Sequence, residues 1–219
     1  MKIQFAVELE KEFDNLQRGI GKFSGGKQSA FLTEILEAGV EPSNKEAVVA
    51  FLEAKIAREE LNLDLTAKNF QAKWDDIKDL VIQRLDTLFA TQNPFTDITA
   101  YLTLNTRCSY NLPDRYFFVN ALQPNPIGTV IHELLHFYTD FVIFPLFKEA
   151  GTTEFYADFR ESLTVLINIC FQDVIEQPDY GYEMHAETRK WIEENWQEEM
   201  SIQDLSEKYL EECVTKDSK

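Results

Sequence analysis

Two histidines four residues apart, His132 and His136, flank Glu133 within the apolar run GTVIHELLHFYTDFVIFPLF at residues 128–147, and the whole 219-residue chain has only three histidines. On a helix, residues i and i+4 lie one turn apart on the same face, so both imidazoles can turn a nitrogen toward one divalent ion. Glu133 falls about 100° further round, at the rim of that face, within reach of a water on the ion but not placed as a ligand. Val130, Ile131, Leu134 and Leu135 give the helix an apolar back. Burying two imidazoles and a carboxylate with no metal is costly, so these residues predict a zinc site.

This HExxH pattern, carried by His132, Glu133 and His136, resembles that of the zincin metallopeptidases. A third histidine six residues on is missing, since position 142 is valine, and the metzincin variant is thereby set aside. The remaining resemblance is to the gluzincins, in which a glutamate on the next helix completes the site. Glu154 and Glu161 both stand there. If the chain reverses near Glu149, an antiparallel helix brings residue 162 opposite His136, which puts Glu161 at the right level and Glu154 roughly 12 Å away. Glu154 also has a plain role as a first-turn carboxylate after Thr152 and Thr153. Against this, Glu154 has Asp158 four residues later, as several gluzincins have after their ligand, whereas Glu161 has Val165. Both glutamates remain candidates, and Asp158 is expected to orient a ligand histidine in either case.

The resemblance implies peptide-bond hydrolysis by a zinc-activated water, with Glu133 as general base. A donor for the developing oxyanion is sought in DYGYEMHAETRKW, where Tyr180, Tyr182 and His185 cluster. By position, ITAYLTL resembles the gluzincin edge strand that pairs with extended substrate.

The elements that must carry these residues can be read from periodicity. KIQFAV alternates Ile3, Phe5 and Val7 with Lys2, Gln4 and Ala6, as a half-buried strand does. Two helical stretches follow, ELEKEFDNLQRG and KQSAFLTEILEAG, the second closed by Gly39. EPSNKEAVVAFLEAKIAREEL opens with a capping-box spacing at Ser43 and Glu46. The next helix sets Phe70, Trp74, Ile77, Val81 and Leu85 on one stripe. DITAYLTL and RYFFVNAL then read as strands, followed by the histidine helix, a second buried helix EFYADFRESLTVLINICF, and an acidic helical tail.

Strand, helix, glycine turn and GGKQSAFLTEIL together resemble, over residues 1–40, the ribbon-helix-helix proteins, which implies a homodimer through paired strands. DNA reading by Lys2, Gln4 and Ala6 fits poorly, because that segment holds five basic and six acidic residues. GKFSGGKQS approaches a P-loop at Gly21, Gly26 and Lys27, but Gln28 replaces the hydroxyl that should hold magnesium and no buried strand precedes it.

With 21 basic and 38 acidic residues the formal charge is −17, which argues against nucleic acid and anionic lipid as partners. The opening residues lack the pattern of a secretory signal, so a cytoplasmic location is expected. Charged and polar residues within the histidine run argue for a core helix and against a membrane span. Cys108, Cys170 and Cys213 are too widely spaced for a ribbon or CxxC pair and are expected to be reduced, with Cys170 buried.

These readings predict an α+β, mostly helical chain. A helical part over residues 1–92 precedes a zincin-like core over 93–219, with a small antiparallel sheet and the HExxH helix packed on a second buried helix. The expected activity is that of a zinc metallopeptidase acting on a peptide or protein. The alternative is a dimeric regulatory or DNA-binding protein whose zinc is structural or sensory.

Overall fold

The computed structural model describes residues 1–20 and 29–217, the side chains of 213–217 excepted. The P-loop-like spacing and part of the ribbon-helix-helix-like segment therefore lie outside the described residues. Contacts divide the chain into two units, Met1–Asp76 with Phe95–Pro126, and Ile77–Pro94 with Ile127–Lys219. Each unit is discontinuous in sequence. Helices hold 60% of the chain beside one small sheet, an α+β composition.

The first unit contains β1 (Lys2–Ala6), α1 (Leu9–Gly19), α2 (Ala30–Glu37), α3 (Lys45–Arg58) and the first part of α4 (Leu63–Leu88), then β2 (Asp97–Thr103), β3 (Tyr110–Asn111) and β4 (Tyr116–Asn120). Local chemistry sets the helix ends. Ser29 caps α2 by accepting from the Leu32 N–H, and Gly39, at φ +72°, closes it while Val40 N–H returns to the Ile35 carbonyl. The cap of α3 is Asn44, which accepts from Ala47 N–H at 3.0 Å, and not Ser43, whose hydroxyl donates to Glu41 instead.

The sheet is mixed, with order β1-β2-β4-β3. β1 and β2 are parallel, β2 and β4 are parallel, and only the two-residue β3 runs antiparallel to β4. This corrects the expected antiparallel sheet. Four consecutive buried residues, Tyr116 to Val119, show why: an inner strand covered on both faces reads as a continuous apolar run. β2 is paired on both sides, so ITAYLTL is an interior strand and not an edge open to substrate. The outer edge of β1 is met by Gln71 of α4, which donates to the Ile3 carbonyl (3.1 Å) and accepts from Phe5 N–H (3.2 Å). A side-chain amide thus stands where a second chain would add a strand in a ribbon-helix-helix dimer.

At the end of β2, Glu12 of α1 is 1% exposed and its Oε1 accepts from the N–H groups of Leu104 and Asn105. Its Oε2 has no hydrogen-bond partner. Burial pushes this carboxyl up to about 7, against the pull of its hydrogen bonds to Thr103 and to the two amides. A carboxyl that binds its proton more tightly when folded contributes stability that is fully present below its ordinary value of 4.5 and is lost as pH rises through about 7. Relative to Glu12→Gln, the wild-type chain is expected to lose on the order of 3 kcal/mol between about pH 4.5 and 8. Urea midpoints of the two proteins across that range measure the difference, and parallel curves would refute it.

The second unit contains the rest of α4, with Val81 and Leu85 fully buried, then α5 (Ile127–Tyr138), α6 (Phe144–Glu149), α7 (Thr153–Ser162), α8 (Val165–Cys170), α9 (Ala186–Asn195) and α10 (Ile202–Asp217). Between α5 and α6 the backbone widens into a π-helical turn, Thr139–Ile143, where Phe144 N–H reaches five residues back to Thr139. The run Ile127–Glu149 is long and apolar enough to cross a membrane, yet most of it is buried, as in the core helix of a soluble protein. The expected second buried helix is broken into α7 and α8 at Leu163 and Thr164, where the Thr164 hydroxyl lies 2.8 Å from the Glu161 carbonyl. Cys170 is a free thiol and is half-buried rather than buried.

Candidate metal centre

α5 is apolar on its buried face because Val130, Ile131, Leu134 and Leu135 are all fully covered. That packing fixes the rotation of the helix, and the 3.6-residue repeat then sets His132 and His136 side by side, with ring centroids 4.6 Å apart and planes nearly perpendicular at 86°. Glu161 arrives from the last turn of α7. One ligand atom from each of His132, His136 and Glu161 lies within 4.8 Å of the others, and His136 Nε2 is 3.6 Å from Glu161 Oε2. Four-coordinate zinc with bonds of about 2.1 Å sets its ligand atoms roughly 3.4 Å apart. The His136–Glu161 pair stands at about that spacing, and the group as a whole, within 4.8 Å, makes a metal site geometrically possible.

Glu154 is not part of this group. It sits exposed in the first turn of α7, where a carboxylate faces the positive end of the helix dipole. The glutamate opposite His136 is the one that helix rise placed there.

The surroundings set up the donors. His132 Nδ1 is 2.8 Å from Asp179 Oδ2; a carboxylate only accepts, so Nδ1 carries the hydrogen and Nε2 is left for the cluster. Burial disfavours a protonated His132, but the hydrogen bond to Asp179 and the charges of Glu133, Asp179 and Glu161 outweigh it and raise its pKa. His136, 3% exposed, is pushed down to about 4 by burial and by its neighbour His132. Burial works against an ionised Glu161, yet His136 and Arg160 together hold it well below the usual carboxylate range. Arg160 Nη2 donates to Glu161 Oε1 at 2.7 Å, leaving Oε2 to face His136.

Glu133 lies outside the ligand group and is 4% exposed. Its Oε2 is buried without a hydrogen-bond partner. Burial lifts the carboxyl to about 7, with Glu161 adding to the shift and His132 and Arg160 opposing it. A fold that gathers two imidazoles and two carboxylates, with His136 and Glu133 buried and His132 and Glu161 partly exposed, and that leaves one Glu133 oxygen unsatisfied, offers a cation a place among them.

The orienting role expected of Asp158 falls to Asp179. Asp158 instead holds His185, with Oδ1 at 2.5 Å from Nδ1, and accepts from the Thr188 hydroxyl. Asp179 lies in an irregular segment between helices, beside the tyrosines of DYGY, where neither periodicity nor spacing marks a residue. The segment 179–185 is thus tied to α5 through Asp179 and to α7 through His185. It carries Tyr180, 82% exposed, and Tyr182, 53% exposed, whose ring centroid is 6.1 Å from that of His185.

No protein-family model matches the chain, and no curated protein or solved structure is similar to it.

Proposed function

We propose that the chain is a zinc-dependent metallopeptidase of the gluzincin type, with His132, His136 and Glu161 as ligands and Glu133 as general base. The observation that carries this reading is the convergence of those three donors beside a buried carboxylate that is not among them. Zinc bound there supplies a Lewis acid that acidifies a water and polarises a carbonyl. Glu133 accepts the proton of the attacking water and delivers it to the departing amine. Asp179 keeps the Nε2 of His132 turned to the centre. The developing oxyanion takes its hydrogen bond from Tyr182 or His185, carried on the segment anchored to both site helices. The substrate is a peptide or protein, and the acidic chain disfavours nucleic acid.

Purified protein is expected to carry stoichiometric zinc and to cleave a mixed peptide library, with cleavage abolished by a chelator and restored by zinc. Protein that holds zinc, cleaves nothing and is retained on DNA at physiological salt would favour the regulatory alternative.

A further inference from the structure

Asp179 is gripped from several sides. Its N–H donates to Asn168 Oδ1 at 2.6 Å, and its carbonyl accepts from Asn168 Nδ2 at 2.8 Å, so one side chain on α8 pairs with both. Arg189 of α9 closes a fork on the same residue: Nη2 donates to the carbonyl (2.7 Å) and Nη1 to Oδ1 (3.0 Å). Nη1 also donates to the Thr164 hydroxyl at 2.6 Å. With Oδ1 held by Arg189 and by the Thr164 hydroxyl at 2.9 Å, Oδ2 meets His132 Nδ1 at 2.8 Å.

Arg189 is 8% exposed, so it is not a surface charge that found a neighbour. The chain makes room for it at Gly181, whose φ of +61° disfavours other residues. A Cβ there would fall 2.6 Å from Cζ and Nη1 of Arg189. A rigid planar fork that binds a carboxylate and a carbonyl of one residue fixes rotation as well as distance, which a lysine ammonium does not.

We propose that Arg189 is a positioning residue of the metal centre: it locks Asp179 so that His132 carries its hydrogen on Nδ1 and presents Nε2, with Gly181 admitting the guanidinium. This builds on the reading of His132 as a zinc ligand. It assigns a buried arginine on α9, which touches no ligand directly, a share in metal affinity.

The test reads the imidazole before it reads the metal. With only three histidines in the chain, nitrogen-15 NMR of the metal-free protein at alkaline pH resolves the tautomer of each ring. Wild type is expected to show His132 as the Nδ1–H form alone, and Arg189→Met to show a mixture of both forms. Zinc affinity, from chelator competition, is expected to fall about 10- to 100-fold in Arg189→Met and in Asp179→Asn. The double variant is expected to be no weaker than the weaker single one, because both act through one path. Ile192→Ala, which removes a fully buried side chain from the same helix, should lower thermal stability and leave affinity in the folded protein unchanged. If Arg189→Met does not fold, Arg189→Lys and Gly181→Ala are expected to give the same mixture of tautomers.

A single Nδ1–H tautomer in a folded Arg189 variant overturns the proposal, and so do losses of affinity that multiply in the double variant. Wild-type protein with the expected tautomer but no affinity for zinc sinks the metallopeptidase reading and leaves the positioning role standing.

Discussion

Replacing Glu133 with glutamine is expected to leave zinc bound at wild-type stoichiometry while peptide hydrolysis falls by about a hundred- to ten-thousand-fold, the range a positioned general base contributes. Glutamine has the same shape, and Oε2 of Glu133 makes no hydrogen bond that the substitution would break. The amide keeps an acceptor but cannot take a proton from water. Stability separates this loss from damage to the fold. Glu133 is buried, and neutralising it removes a desolvation penalty, so thermal stability should equal or exceed that of wild type. Metal content, turnover and melting temperature are read on the same preparation. Loss of zinc together with activity would make Glu133 part of the ligand set, and unchanged turnover would remove it from the chemistry.

Glu161→Ala and Glu154→Ala are expected to part completely. Glu161 supplies one of the three convergent donors, and its removal should weaken zinc by more than the roughly 10- to 100-fold that losing an outer partner costs. It would also remove the carboxylate oxygen that Arg160 Nη2 now meets at 2.7 Å, so that less of the Arg160 charge is compensated beside His136. Loss of that negative charge, with the arginine still present, opposes a cation. Glu154, exposed in the first turn of α7, should change affinity not at all. Equilibrium dialysis against buffered zinc measures both. Equal losses in the two variants, or a larger loss for Glu154→Ala, would overturn the assignment.

How much of this was legible in the sequence depends on whether a contact is made along a helix or across the fold. The His132–Glu133–His136 arrangement is a property of one helix, and the repeat alone gives it. Glu161 followed from the same arithmetic applied to two antiparallel helices, although the break at Thr164 was not visible. No Gly or Pro marks it; the Thr164 hydroxyl there meets the Glu161 carbonyl three residues back and the Arg189 guanidinium, and the second of these contacts is made across the fold. Asp158 does not orient a ligand histidine as expected: it meets His185, and a loop residue, Asp179, meets His132. Three of the strands stand where periodicity put them, the two-residue β3 falls in the stretch read as a connection, and the expected antiparallel pairing is replaced by a mixed sheet. The continuous apolar run of β4 carried the signal for an inner parallel strand, and alternation in β1 drew attention from it. The cap of α3 moved by one residue, from Ser43 to Asn44, because both side chains can serve and only the backbone chooses.

Gln71 bears on how this chain behaves when concentrated. A bare outermost strand is a template on which further copies can deposit, and fibrils grow from such borders. Here the amide of Gln71 already occupies the Ile3 carbonyl and the Phe5 N–H, while the opposite border is a strand of two residues, too short to hold a newcomer in register. Both flanks of the sheet are thus closed to templated deposition.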